Sequence, residues 1–269
     1  MDTEVKINSS TDLYALFGYP AKHSFSPFIQ NYFFKRNNIN SVYLSFEIKP
    51  SDINEAFNGA KKIGFSGLNL TMPFKETLID KIDEMDNDAG LVKSVNTIKF
   101  NNTTGRTRGF NTDIPGFIKS LDDVNFTWNN SACLVIGAGG VAKSSIYSLI
   151  KKNTAKIYLY NRTIKKAFDL KSVFYNKQDS RRIVVAEDLN SVPLKEINLI
   201  VNCSSAGMNL KSTDSDNVSI MPVPEDWDLK NKIVFEMVYD PVITRLVKKS
   251  LKDGAKIIYG TDMLLNQAA

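Results

Sequence analysis

Residues 67–75, Gly-Leu-Asn-Leu-Thr-Met-Pro-Phe-Lys, present an amide, a hydroxyl and an ammonium group where a strand-like pattern gives way to a helix-like one. Residues 65–70 read as a short apolar strand. Pro73 suits the first turn of a helix whose apolar face continues through Leu78, Ile79, Ile82 and Met85. Asn69, Thr71 and Lys75 then cluster at one strand end. The plainer alternative is that Asn69 and Thr71 cap that helix and Lys75 is a solvated surface lysine. Two further segments repeat the plan. Residues 18–27, Gly-Tyr-Pro-Ala-Lys-His-Ser-Phe-Ser-Pro, follow an apolar strand and lead through a proline into an aromatic-rich helix. Ser24 and Ser26 lie just ahead of it, where unpaired N–H groups and the positive dipole end favour a carboxylate or phosphate. Ser26 as an N-cap and Ser24 as a turn residue is the alternative there. Residues 109–113, Gly-Phe-Asn-Thr-Asp, precede Pro115 and a helix through Leu121, with Asp113 as a cap or a functional acid.

A second kind of chemistry is written in the middle of the chain. Residues 132–136, Ala-Cys-Leu-Val-Ile, form a fully apolar strand. Gly137, Ala138, Gly139, Gly140, Val141 and Ala142 follow, then a helix through Ile146, Leu149 and Ile150, then a strand at 156–160. This is a G-x-G-x-x-A dinucleotide fingerprint in the strand–turn–helix–strand context that it requires. Gly137 makes the tight turn, Gly139 lets backbone approach a pyrophosphate, and Ala142 permits close helix-to-strand packing. Where an acidic residue would hold an adenosine ribose 2′-hydroxyl, this chain has Asn161, Arg162 and Thr163, with Lys165 and Lys166 beyond. An arginine and a hydroxyl suit a 2′-phosphate, which favours NADP over NAD.

The elements that must position these groups alternate between strand and helix. Segments 11–17, 42–48, 65–70 and 95–100 are expected as strands of an open α/β substrate domain, residues 1–113, rejoined by 260–269. Strands near 132–136, 156–160, 183–186, 197–202, 233–238 and 256–259 are expected to build a doubly wound, Rossmann-type nucleotide domain, residues 114–259. The polar stretch 209–217 is expected to be a mobile loop by the cofactor site.

Composition sets the outer bounds. At 269 residues the chain holds one or two ordinary globular cores. Neither a signal-peptide-like start nor a run of roughly 18 to 20 apolar residues is present, so a cytoplasmic protein is expected. The net charge of +5 is spread over short runs such as Lys61-Lys62, Lys151-Lys152 and Lys248-Lys249. These read as solvated helix faces that attract small anions, not as a nucleic-acid surface. Cys133 and Cys203 are expected as free thiols. With His23 the only histidine and no Cys/His cluster, no metal site is expected. His23 sits inside the anion-binding turn, where a supporting role is expected ahead of proton transfer.

Taken together, the motifs resemble the shikimate dehydrogenase family over nearly the whole chain and in the family's order. His23-Ser-Phe-Ser-Pro27 matches its HSxSP, 69–75 its N-[VL]-T-x-P-x-K, Val95-Asn-Thr97 its VNT, and 109–113 its GxNTD. GAGG, NRT, Asn202-Cys-Ser-Ser-Ala-Gly-Met208, Val238-Tyr-Asp-Pro241 with Thr244, and Gly260-Thr-Asp-Met-Leu264 with Gln267 complete the set. The resemblance implies NADP-dependent interconversion of 3-dehydroshikimate and shikimate in aromatic amino-acid biosynthesis, by a monomer or homodimer. A quinate or dual quinate/shikimate dehydrogenase is the nearest alternative, and a ligand sensor without turnover the alternative from another class.

It further implies that Ser24 and Ser26 hold the substrate carboxylate and that Asn69, Thr71, Asn96, Asp113 and Gln267 bind ring hydroxyls around Lys75. Lys75 and Asp113 are the implied catalytic pair. Gly137, Ala138, Gly139 and Gly140, with Asn161, Arg162 and Thr163, are implied for the adenosine and phosphate end of NADP. Gly260 and Met263 are implied beside the nicotinamide, and Tyr239 between cofactor and substrate. The chemistry agrees independently: hydride reduction of a ketone leaves negative charge on oxygen, and a lysine supplies both a proton and positive charge. The hydride is the cofactor's. The sequence departs from the family at Lys93-Ser94, where a small Gly-Ala pair is usual, so a different local turn is expected before Asn96. Ser205 stands for a common proline and Glu236 for a common aspartate. Family members usually continue through most of a further helix past the position of Gln267.

Overall fold

The computed structural model describes residues 7–22, 24–174, 179–209 and 217–268. His23 and residues 210–216 of the expected loop therefore lie outside the described residues. The chain divides into two compact units, Met1–Thr112 with Ala268–Ala269, and Asp113–Gln267.

Unit 1 contains β1 (Asp12–Gly18), α1 (Ser26–Arg36), β2 (Ser41–Glu47), α2 (Ile53–Lys62), β3 (Gly67–Leu70), β4 (Glu84–Met85), α3 (Asn87–Val92), β5 (Thr97–Phe100) and β6 (Thr107–Phe110). Its sheet runs β2-β1-β3-β5-β6-β4. Strand β1 pairs in parallel with β2 and β3, and its Ala15, Leu16 and Phe17 are buried, as expected for a strand covered on both faces. Helix α2 turns Ile53, Phe57 and Ala60 inward at helical spacing, onto a core that includes Leu68, Phe74, Leu78 and Ile98. Strand β5 runs antiparallel to both β3 and β6. Strand β6 escapes a sequence reading because its inward positions are Thr107 and Gly109, neither of them a large apolar residue.

One expected element is absent: no α-helix follows β3. Residues 72–78 form successive turns that end in a short 3₁₀ turn, Ile79–Lys81. The Phe74 N–H bonds Thr71 O (2.8 Å) and the Thr77 N–H bonds Phe74 O (3.1 Å), three-residue spacings in place of the α-helical four. The Lys75 carbonyl is claimed by the Val95 N–H at 2.7 Å, which removes it from any helical ladder. Phe74 and Leu78 still reach the core, so the apolar pattern is satisfied without a helix.

The turn at Lys93-Ser94 has its own local cause. Asp86 N-caps α3 through the Ala89 N–H (2.7 Å), and Lys93 ends the helix in the left-handed region at φ +46°. Glycine is the residue suited to that position. Ser94 is fully buried, and among the described residues its hydroxyl has no hydrogen-bond partner. Restoring Gly at 93 and Ala at 94 is expected to stabilise the protein, by about 1 kcal/mol at each site. Urea-unfolding midpoints of the single variants measure this, and a lowered midpoint for Ser94→Ala would show that the hydroxyl is satisfied in solution.

Unit 2 contains α4 (Asp113–Asp122), β7 (Ala132–Ile136), α5 (Gly140–Lys151), β8 (Lys156–Tyr160), α6 (Ile164–Val173), α7 (Asp179–Arg182), β9 (Ile183–Ala186), β10 (Ile197–Asn202), β11 (Ile233–Glu236), α8 (Arg245–Asp253), β12 (Lys256–Ile258) and all but the last residue of α9 (Gly260–Ala268). Its sheet is wholly parallel, in the order β12-β11-β10-β7-β8-β9. The strand order reverses between β7 and β10, the switch point where doubly wound sheets bind ligands beyond their strand ends. Every residue of β7 is buried, and α5 presents Ala142, Ser145, Ile146 and Leu149 inward.

Helix α9 groups with unit 2 through Gln267, and Ala268 with unit 1. Packing on α4 explains the grouping with unit 2. A Cβ on Gly116 would lie 2.8 Å from Gln267 Cβ, so only glycine admits the approach, and Asn266 Nδ2 donates to Ser120 Oγ at 3.0 Å. Among the described residues no helix is long and apolar enough to cross a membrane.

Candidate active site

In unit 1 the parallel pairing Phe17↔Leu70 brings the ends of β1 and β3 together, and the antiparallel pairing Asn69↔Thr97 adds the start of β5. Ser24, Ser26, Asn69, Thr71, Lys75 and Asn96 all issue from that end of the sheet. The Thr71 N–H bonds Phe17 O (3.0 Å), and Gly18 leaves the space that Thr71 Cγ2 occupies. Ser26 is the first residue of α1 and not its cap. Ser24 Oγ accepts the Ser26 N–H (3.2 Å) and stands 3.1 Å from Ser26 Oγ, so two hydroxyls sit together at the start of an eleven-residue helix. Both serines and Lys75 are half-buried, a placement that keeps a polar group reachable yet partly shielded.

Asn69 and Asn96 are tied into one network. Asn69 Nδ2 donates to Asn96 O (3.1 Å) and Thr97 Oγ1 (2.9 Å), and Thr97 Oγ1 donates to Asn96 Oδ1 (3.0 Å). Asn96, only 3% exposed, also takes the Thr112 N–H at Oδ1 (2.8 Å) and gives Nδ2 to Thr112 Oγ1 (2.9 Å). Tyr43 O–H donates to Asn69 Oδ1 at 2.7 Å. No motif singles out Tyr43, which lies mid-strand in β2 and meets Asn69 only because β1 sets those strands in register.

In unit 2 the expected cofactor residues gather where β7 and β8 end. Gly137 has φ +112°, and a Cβ there would lie 2.8 Å from the Cys203 carbonyl carbon just beyond β10, so glycine is required twice over. Gly139 precedes α5 in extended backbone with no side-chain cap, and a Cβ on it would meet no described atom within 4 Å. That open cradle at the start of a twelve-residue helix fits a pyrophosphate. Tyr160 pairs with Ile136, which sets Asn161, Arg162 and Thr163 beside the cradle. Asn161 Nδ2 bonds Thr163 O (2.9 Å), while Arg162 and Thr163 are exposed and Thr163 makes no cap to α6. Both are available to a phosphate.

The ends of β11 and β12 carry the rest. A Cβ on Gly260 would lie 2.6 Å from Met237 O, so α9 starts hard against the segment that leads to Tyr239. Met263, one turn on, is buried. Burial, with Asp240 beside it, raises the Tyr239 phenol above its ordinary range. Asp113 opens α4 at 4% exposure and is the first residue of unit 2, whereas Lys75 belongs to unit 1. Burial pushes the Cys203 thiol up to about 12, opposed by a Ser145 hydrogen bond and reinforced by Glu236 and Asp113. A thiol held that high stays protonated near neutral pH, and Cys133 and Cys203 are both free. Among the described residues no group of three or more His, Cys, Asp or Glu side chains is arranged to hold a metal ion.

Glu236, a departure from the family pattern, is fully buried beneath these loops. It accepts Asn202 Nδ2 (2.8 Å), the Val238 N–H (3.1 Å) and Thr244 Oγ1 (2.8 Å), so one carboxylate ties the ends of β10 and β11 to the cap of α8. Burial outweighs those hydrogen bonds and pushes it up to about 7 from an ordinary 4.5. In that window the folded protein keeps a proton that the unfolded chain releases, so the contribution to stability falls as pH rises from about 4.5 to about 7. Glu236→Gln is expected to flatten that part of the stability–pH profile in urea titrations. An unchanged slope would contradict the assignment.

Two family models match the chain: "Shikimate dehydrogenase substrate binding domain" over residues 16–98 and "Shikimate / quinate 5-dehydrogenase" over residues 120–221. A shikimate dehydrogenase (NADP(+)) of Aquifex aeolicus is 37% identical over 261 residues, 97% of this chain and 90% of that protein. A crystal structure of a shikimate dehydrogenase in complex with NADP+ superposes with a TM-score of 0.86 at 32% identity, covering 98% of this chain and 89% of the other. The enzyme of Thermus thermophilus, solved with NADP(H) and shikimate, gives a TM-score of 0.82 at 27% identity, covering 96% and 91%. With both halves matched by family models and the motifs in place at the ends of both sheets, the chain belongs to the shikimate dehydrogenase family.

Proposed function

We propose that this protein is an NADP-dependent oxidoreductase that reversibly reduces 3-dehydroshikimate to shikimate, a step in aromatic amino-acid biosynthesis. The observation that carries this reading is the division of labour between the units. Unit 1 gathers serine, asparagine, threonine and lysine side chains at one sheet end, and unit 2 sets an open glycine cradle beside an exposed Arg162. Unit 1 is then the substrate-binding domain and unit 2 the NADP-binding domain. Following absorbance with NADP or NAD, and with shikimate or quinate, tests it. Fastest reduction of NADP by shikimate is expected. Preference for quinate would move the assignment to the sister activity, and no reduction with any pair would reject an enzyme.

NADP, when bound, supplies hydride to the ketone or takes it from the alcohol. The chain's residues do the rest. Ser24 and Ser26 hold the substrate carboxylate with hydroxyl donors at the start of α1, where the helix dipole adds to their field. Asn69, Thr71, Asn96 and Gln267 engage ring hydroxyls and orient the reacting carbon. Lys75 and Asp113 hold and move the proton on the reacting oxygen, and the lysine's charge stabilises negative charge developing there. Gly137, Ala138, Gly139 and Gly140 receive the pyrophosphate, and Asn161, Arg162 and Thr163 the adenosine end with its 2′-phosphate. Gly260 and Met263 lie by the nicotinamide, and Tyr239 lies between cofactor and substrate.

Replacing Ser26 by Ala is expected to weaken shikimate binding about tenfold while NADP affinity is unchanged. Calorimetry reads both. Normal shikimate binding by this variant would return Ser26 to a helix-starting role alone. The protein is further assigned to the cytoplasm, as a monomer or homodimer without a nucleic-acid partner, because its scattered positive charge serves small anionic ligands.

A further inference from the structure

We infer that Tyr43 is a positioning residue that holds Asn69 as a pure hydrogen-bond acceptor toward the bound substrate, so that this position admits only a ligand group able to donate. The inference rests on the placement of Asn69 in the substrate site proposed above. A carboxamide has two N–H donors and a carbonyl oxygen with two lone pairs. Both donors of Asn69 are committed within the protein, to Asn96 O (3.1 Å) and Thr97 Oγ1 (2.9 Å). Thr97 Oγ1 spends its own proton on Asn96 Oδ1 (3.0 Å). A reversed amide would set Asn69 Oδ1 against the Asn96 carbonyl, oxygen facing oxygen, and would leave the Tyr43 O–H without its acceptor.

Tyr43 completes the lock from the other side. It is 2% exposed, and burial raises its phenol far above the ordinary range, so the hydroxyl stays a donor at any working pH. Its O–H takes one lone pair of Asn69 Oδ1 at 2.7 Å, which leaves one for a ligand. The backbone of the same residue is fixed by α1. The Tyr43 N–H donates to Asn31 Oδ1 (2.9 Å), and Asn31 Nδ2 donates to Tyr43 O (2.8 Å) and to Pro27 O (2.8 Å). Tyr43 thus ties the helix that begins at Ser26 to the amide at Asn69. Asn69 is only half-buried, and its remaining lone pair is the one assigned to the ligand.

The test compares shikimate with its deoxy and fluorodeoxy analogues at each ring hydroxyl, titrated into the NADPH-loaded protein, where alcohol and reduced cofactor cannot exchange hydride and only binding is read. Fluorine replaces the hydroxyl in size and polarity but cannot donate. The hydroxyl that Asn69 faces is the one whose removal costs the wild type affinity but costs Asn69→Ala little. At that position the fluoro analogue is expected to bind no better than the deoxy analogue, about tenfold or more below shikimate. Tyr43→Phe is expected to weaken shikimate about tenfold, raising KM more than it lowers kcat, with NADP affinity unchanged. A fluoro analogue that binds markedly better than the deoxy analogue at that position overturns the inference without using any variant. If Asn69→Ala weakens shikimate and Tyr43→Phe does not, only the inference fails. If Asn69→Ala binds shikimate like the wild type, the placement of Asn69 in the substrate site fails and takes the inference with it.

Discussion

Lys75→Ala is expected to cut turnover at least about a hundredfold, the lower end for loss of a general acid–base group, with NADP binding intact. Reduction of a ketone makes an alkoxide unless a proton arrives with the hydride, and an ammonium group supplies that proton together with compensating charge. The structure supports the placement through the backbone. The Lys75 carbonyl is pinned by the Val95 N–H at 2.7 Å, one residue from Asn96, and the side chain is half-buried. Lys75 lies in successive turns and not in the first turn of the α-helix that the sequence pattern suggests. Asp113→Asn is expected to impair turnover as well, because the buried acid at the start of α4 is proposed to serve the same proton. The double variant should then lose less than the product of the two single losses, the mark of groups that share one step. Steady-state and single-turnover kinetics at saturating substrate measure all three. Wild-type turnover by Lys75→Ala would move the proton to another donor, with His23 or an ordered water next in line.

Arg162→Ala should separate the two nicotinamide cofactors. Each charge-assisted hydrogen bond to a 2′-phosphate contributes about 1.5–3 kcal/mol, so loss of the guanidinium should raise KM for NADP by about 10- to 100-fold. KM for NAD, which lacks that phosphate, should barely change. Arg162 is exposed just past the end of β8, beside the glycine cradle, so the protein does not bury its guanidinium for its own core. Thr163 stands next to it without a capping duty. Equal losses for both cofactors would show that Arg162 supports the fold of the loop and does not read the phosphate.

The two halves differ in how plainly they can be read. The strands of unit 2 are legible to within a residue or two because a parallel sheet covered on both faces needs near-continuous apolar runs, as in residues 132–136 and 197–202. Gly137 is legible for a related reason: a left-handed turn against a neighbouring strand has one cheap solution among the amino acids. Local pattern misleads at residues 73–85. There Leu78, Ile79, Ile82 and Met85 keep a helical period, but a hydrogen bond from Val95, distant in the chain, takes the carbonyl that a helix would need.

Short segments of the sequence carried the expectations for an anion at Ser24 and Ser26, for the dinucleotide turn and for a 2′-phosphate, and the family resemblance carried the pairing of Lys75 with Asp113, since each rests on the chemistry or motif of a short segment. Tertiary structure alone decided that α9 lies on α4 where Gly116 makes room. It also decided that Tyr43 and Thr97 set the polarity of Asn69 and that Glu236 ties three segments together. Those features arise from hydrogen bonds and close approaches between residues far apart in the chain, and strand register and burial, not local composition, determine which of them form.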